Sequence, residues 1–179
     1  MTDMDRTPPT PSQTVGPFFA IGLKWLERPE LVSAHDRRAI RIEGRVLDGR
    51  DQPVPDAVVE IFQADARGAF PPDSEPGWSG FGRCGTDEQG RFHFVTVKPG
   101  PVTPDSARHL DVSVFARGLL QRLVTRCYFG DEEAANATDP VLRALDRSVA
   151  ATLIAPLHDG AYRFDVHLHG EQETAFFAW

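Results

Sequence analysis

Apolar and polar residues alternate over Ala39–Leu47, with Ile40, Ile42 and Val46 on one face and Arg41, Glu43 and Arg45 on the other. A period of two is the mark of a strand with one face buried. His109–Phe129 repeats the pattern: Leu110, Val112 and Val114 share one face, and His109, Asp111, Ser113 and Phe115 share the other. Arg117-Gly118 then offers a turn, and Gln121–Phe129 reads as a returning strand. Ala57–Gln63 predicts a further strand, with Pro53 and Pro55 at its start, where missing donors are tolerated. Gly82–Thr86 and Arg91–Val97 flank Asp87-Glu88-Gln89-Gly90, a hairpin signature. Ala150–Ala155 and Tyr162–His169 predict two closing strands around Asp159-Gly160, and Thr174–Trp179 is apolar enough to pack.

Helical signals are few. Asp131-Glu132-Glu133 places carboxylates where a helix start favours them, and a second short helix begins at Asp139 with Pro140 in its first position. Residues 1–9 read as a disordered tail, and Ile21–Arg38 as irregular with a short helical turn. Thr10–Phe19 ends in adjacent aromatics, which fits an arm lying against another surface, with Gly16 permitting close backbone approach. Seven to nine short strands with turn chemistry between them predict a mainly β fold, a β-sandwich. Arg67–Ser79, with three prolines and two glycines, is a loop of the length usually reserved for function or motion.

Composition narrows the classes. A chain of 179 residues with 41% hydrophobic and 25% charged residues suits one globular core. A net charge of −7 argues against nucleic acid as a partner. No apolar run approaches the roughly 20 residues that span a bilayer, and the two aspartates of Met1–Arg6 do not suit a signal peptide, so a cytoplasmic location without membrane contact is expected. Cys84 and Cys127 then read as reduced, packed thiols, and the Asn136-Ala137-Thr138 glycosylation pattern as a coincidence.

Four sets of side chains are candidates for chemistry. His109 and Asp111 share a strand face at a spacing suited to two metal ligands. His167 and His169 do the same, about 7 Å apart, but without a cysteine or carboxylate at ligand spacing they read as a solvated face. The only two tyrosines, Tyr128 and Tyr162, do not complete an iron site: Tyr162 faces away from His167 and His169, roughly 16–23 Å along the strand. Arg126, mid-strand among apolar neighbours, calls for a structural carboxylate or an anionic ligand unless it lies on a surface face. No nucleophile elbow, P-loop or dinucleotide fingerprint occurs.

Taken together, Thr10–Phe19, Phe62-Gln63-Ala64-Asp65-Ala66 followed by Gly68, Gly82-Arg83 before Thr86-Asp87, and Thr96-Val97-Lys98-Pro99-Gly100 form an ordered series. With His109–Phe129, Asp131–Asn136 and Tyr162–Asp165, the chain resembles the intradiol ring-cleaving dioxygenases. The resemblance implies a mixed β-sandwich with an N-terminal arm and one or two short helices. It divides the chain into an arm and irregular segment (1–38) that contacts a partner and a dioxygenase domain (39–179).

It is strongest to the alpha-type chains of members built from paired alpha and beta chains in a larger hetero-oligomer. Those members cleave protocatechuate with O₂ to 3-carboxy-cis,cis-muconate. Their beta subunit holds Fe³⁺ through two tyrosines and two histidines. The matching positions here are Phe70, Val102, His109 and Asp111, and a phenyl ring and an isopropyl group offer no donor atom. The resemblance therefore implies iron in the beta subunit, no catalytic residue in this chain alone, and a His109 satisfied by hydrogen bonds. Thr14, Gly16 and Pro17 carry over as pocket wall lent to the partner, and Arg126 as a cation near that pocket. Two other classes compete: a transthyretin-type binding sandwich, and an autonomous single-chain catechol dioxygenase.

Overall fold

The structure, a computed structural model, describes residues 10–178; the tail expected over residues 1–9 and the packing expected of Trp179 lie outside the described residues. Two five-stranded sheets face each other. The first is built on β1 (Ala39–Leu47), which pairs antiparallel along its length with β4 (Arg91–Val97). On its other edge β1 takes β9 (Ala161–Arg163) and then β10 (Val166–His167), both parallel, and β8 (Leu157–His158) extends the sheet beside β9. The second sheet runs β3-β2-β5-β6-β7: β2 (Val58–Phe62), β3 (Phe81–Gly85), β5 (His109–Phe115), β6 (Leu123–Phe129) and β7 (Ile154–Ala155).

The alternation seen in the sequence decides what lies between the sheets. Ile42, Val46, Phe92, Phe94 and Phe164 meet Val59, Ile61, Leu110, Val112, Val114 and Phe129 in one buried cluster. Apolar burial of this kind is the main favourable term holding two sheets together. Gly44 lets the first sheet close, because a side-chain carbon there would sit 1.8 Å from the Phe164 carbonyl oxygen. Both thiols are buried and unbridged. Asn136 is buried too, its amide nitrogen donating to Phe129 O at 2.8 Å, which leaves no room for a glycan.

Four short helices complete the described chain, against one or two expected. α1 (Pro17–Leu23) begins where Pro17 supplies a preset φ, and a 3₁₀ turn follows at Lys24–Leu26. α2 (Glu133–Asn136) and α3 (Pro140–Ala144) stand where the acidic run and Asp139-Pro140 predict them. The strand expected over Ala150–Ala155 is a correction. Arg147–Ala151 is α4 and only Ile154–Ala155 pairs, because two alanines favour helix and a six-residue apolar run does not fix its own period.

The single strand expected over Tyr162–His169 is also interrupted, between β9 and β10. There the Asp165 carboxylate accepts the Arg45 N–H at 2.8 Å, displacing a backbone ladder bond. Beneath α3 and α4, on the outer side of the second sheet, Tyr128, Leu142, Leu153 and Ala107 form a small second core. Among the described residues no helix is long and apolar enough to cross a membrane.

Candidate functional site

Residues directly opposite one another in an antiparallel ladder share a face. The register of the second sheet therefore sets Phe62, Asp111 and Arg126 in one row on its outer side, with His109 opposite Tyr128 in the next. These are the strand faces that the sequence assigned to His109 and Asp111.

Arg126 is held on three sides. Its Nε donates to Asp111 Oδ1 at 3.1 Å, Nη1 meets the Tyr128 hydroxyl oxygen at 3.4 Å, and the guanidinium lies 5.9 Å from the centre of the Phe177 ring. Of the alternatives the sequence left open, the structural carboxylate is thus present, while Nη2 has no partner among the described residues. That nitrogen belongs to a side chain 30% exposed beside a cavity of about 300 Å³ lined by Asp111, Val124, Val141, Phe177 and Ala178.

Behind Arg126 the polar groups close into a chain. The Tyr128 hydroxyl donates to Asp139 Oδ1 at 3.2 Å. The same oxygen caps α3 through the N–H groups of Val141 and Leu142, and Oδ2 accepts the Ala107 N–H at 2.8 Å. Burial pushes the Tyr128 phenol up to about 12, against the opposing pull of Arg126, so the hydroxyl keeps its proton near neutrality. His109 Nδ1 lies 2.8 Å from Ala107 O, and burial lowers its pKa, with Arg126 acting in the same direction. A neutral imidazole donating to a carbonyl is the satisfied histidine expected at this position.

Of the other three positions that the resemblance matches to iron ligands, Phe70 and Val102 carry no side-chain donor atom. Phe70 stacks on Phe62, ring centres 5.1 Å apart, and Val102 stands 41% exposed. Asp111 Oδ1 is engaged by Arg126, and His109 Nε2 lies 3.9 Å from that same oxygen. A hard ferric ion wants several anionic oxygens and imidazoles, so this set does not fit one.

Phe70 is placed by a loop that folds around one carboxylate. Asp65, 1% exposed, accepts the N–H groups of Arg67, Ala69 and Glu75 at 2.9, 3.0 and 2.8 Å. Its backbone adds bonds to Ala69, Gly68 and Gly100. The acidic residue in Gln63-Ala64-Asp65 was visible in sequence only as part of a resemblance; its buried, loop-closing role was not. The contacts of Tyr128 and the second oxygen of Asp139 were missed as well. The sole sequence signal for the latter was Asp139-Pro140 at a helix start.

The arm lies elsewhere on the same outer face. Thr14 Oγ1 accepts the Gly118 N–H at 2.7 Å, at the β5–β6 turn, and Phe19 packs on Phe115 with ring centres 5.3 Å apart. Gly16 and Pro17 start α1, and among the described residues nothing stands within 4 Å of a side-chain carbon built at Gly16. Phe115 is four residues from Asp111 along β5, about 13 Å at 3.3 Å per residue. The structure therefore does not bring Thr14, Gly16 and Pro17 to Arg126 within one chain. Phe18, Ile21 and Trp25 project from the arm at 79%, 63% and 79% exposure.

His169 is solvated, as expected, and pairs with Glu173 at 2.9 Å. His167 is not: only 16% of its side chain is exposed, and it faces Asp51 at 3.4 Å. The fold thus brings Asp51 to His167 from a distant turn, while His169 takes Glu173 four residues on, so the two histidines go to different carboxylates. Tyr162 bonds Asp131 at 3.0 Å, beside a Lys98 that sits over its ring and that of Phe129. Among the described residues no group of three or more His, Cys, Asp or Glu stands close enough to hold a metal ion.

Two mixed sheets around this outer face are the architecture of ring-cleaving dioxygenases. The dioxygenase domain of a dioxygenase–carbohydrate-binding fusion from Streptomyces sp. SirexAA-E superposes with a TM-score of 0.64 at 25% identity, covering 83% of this chain and 89% of that one. The dioxygenase family model matches residues 33–170. The protocatechuate 3,4-dioxygenase alpha chain of Burkholderia cepacia is 43% identical, over 94% of this chain and 96% of its own length. The beta chain from the same organism is 33% identical over 75% of this chain and 66% of its own. The chain belongs to the intradiol ring-cleavage dioxygenase family.

Proposed function

We propose that this chain is the alpha, non-iron-binding subunit of a protocatechuate 3,4-dioxygenase, active only when assembled with a beta subunit. The observation that carries this reading is 43% identity to an alpha chain along 94% of the sequence. The side chains of Phe70 and Val102, which offer a metal nothing, agree with it. In this reading Fe³⁺ belongs to the beta subunit, which cleaves protocatechuate with O₂ to 3-carboxy-cis,cis-muconate. The alpha and beta chains assemble further into a larger hetero-oligomer. An autonomous single-chain dioxygenase would need oxygen donors at positions 70 and 102.

The contribution of this chain is to bind and orient. Residues 1–38 form the arm against the partner and 39–179 the dioxygenase domain. Thr14, Gly16 and Pro17 supply wall to the partner's pocket, which the space at Gly16 that no described residue fills and the exposed Phe18 and Trp25 of the arm support. Arg126 supplies a cation for the substrate carboxylate: with Nε and Nη1 engaged, Nη2, which has no partner among the described residues, is the donor offered to an anion. A charged hydrogen bond of this kind contributes about 1–3 kcal/mol.

Arg126→Ala in the assembled enzyme is therefore expected to raise the KM for protocatechuate by roughly 5- to 150-fold. Iron content should be unchanged. Kinetics equal to the parent's would refute the role of Arg126.

A further inference from the structure

An arginine side chain has many rotamers, and a guanidinium orients a ligand only if its own direction is fixed. Asp111 fixes Nε of Arg126, yet one contact from an aspartate that is itself 41% exposed leaves the fork free to swing. The second contact, to the Tyr128 hydroxyl at 3.4 Å, comes from a residue that cannot move. Tyr128 is fully buried, its ring packed with Leu142 and Leu153 beneath the helices. Its O–H is committed to Asp139, and Asp139 is committed in turn to the cap of α3 and to the Ala107 N–H. A hydroxyl whose proton is already donated presents a lone pair, which is what an N–H of Arg126 requires.

We propose that Tyr128, oriented by Asp139, is a positioning residue that aims Arg126 Nη2 at the aromatic carboxylate, and so sets a preference for carboxylated over carboxyl-free catechols. The proposal rests on the reading of Arg126 given above and adds the group that makes its direction specific. Neither Tyr128 nor Asp139 meets substrate in this scheme; both act through the guanidinium. The phenol stays protonated across the neutral range, so the effect carries no pH dependence of its own there.

The test is Tyr128→Phe in the assembled alpha–beta enzyme, a change that keeps the buried ring and removes only the hydroxyl. Protocatechuate affinity is measured by anaerobic titration, and KM and kcat are measured for protocatechuate and for catechol. Kd and KM for protocatechuate should rise about 3- to 10-fold, with kcat within about twofold and the catechol constants unchanged. In an Arg126→Ala background the same substitution should add nothing.

A proportional loss on both substrates, or a loss confined to kcat, would mean a merely structural hydroxyl and overturn the proposal. So would parent-like protocatechuate affinity in Tyr128→Phe while Arg126→Ala still weakens binding. If Arg126→Ala itself changes nothing, the reading of Arg126 fails and this proposal falls with it. The two failures are thus separately visible.

Discussion

Removing the Asp65 carboxylate should unfold the segment that presents Phe70 to the outer face. Asp65→Ala deprives three backbone N–H groups, those of Arg67, Ala69 and Glu75, of acceptors at 2.9, 3.0 and 2.8 Å. A hydrogen bond to a charged acceptor contributes about 1.5–3 kcal/mol net, so three come to roughly 4.5–9 kcal/mol. The loop is partly exposed, and water recovers part of that, leaving a loss of about 3–5 kcal/mol. The ion pair with Arg67, whose side chain is 63% exposed, adds little. Urea denaturation measures the change, and limited proteolysis should find a new cleavage site between Arg67 and Ser79.

The pH dependence has a definite sign. Burial alone would raise the Asp65 pKa, but the N–H groups of Ala69, Glu75 and Arg67 outweigh it and hold it at about 2. Because the folded value lies below the unfolded one near 3.9, the stabilisation is complete above that value and is lost as pH falls through about 2. The stability gap between the parent and Asp65→Asn should therefore be widest near pH 7 and narrow toward about pH 3. A loss below about 0.5 kcal/mol for Asp65→Ala, or a gap that widens in acid, would refute this account of the loop.

Two other perturbations test the frame. Gly44→Ala would place a carbon 1.8 Å from Phe164 O, and should cost several kcal/mol, about 3 or more, read as a fall in urea midpoint or as insoluble expression. Cys84 and Cys127 are buried, and burial raises both thiol pKa values, so a thiol reagent should titrate neither in the native protein and both after denaturation.

What the sequence disclosed follows the physics of each signal. Alternation with one buried face is a strong local code, so Ala39–Leu47 and His109–Phe115 match their strands residue for residue. Ala150–Ala155 failed because an alanine-rich run satisfies either period, and tertiary packing chose helix for its first two residues. The closing strand split because Asp165, a side chain reaching back across the sheet, took the bond that a ladder would have used. The site was half legible. That His109 and Asp111 share a face follows from spacing, whereas the pairing of Asp111 with Arg126 depends on the hairpin's register, which the turn leaves open. The roles of Asp65, Tyr128 and Asp139 come from contacts made across a loop and a helix cap, and no local pattern carries them.

Iron stoichiometry decides which chain holds the metal. The full chain is purified alone and, separately, with a beta-type partner, and iron is measured in each together with visible absorption. With no oxygen donor at Phe70 or Val102 and Asp111 paired to Arg126, the account predicts less than about 0.1 iron per chain alone, and about 1 per alpha–beta pair with its tyrosinate absorption. Stoichiometric iron in the isolated chain, or ring cleavage by it unaided, would contradict the account.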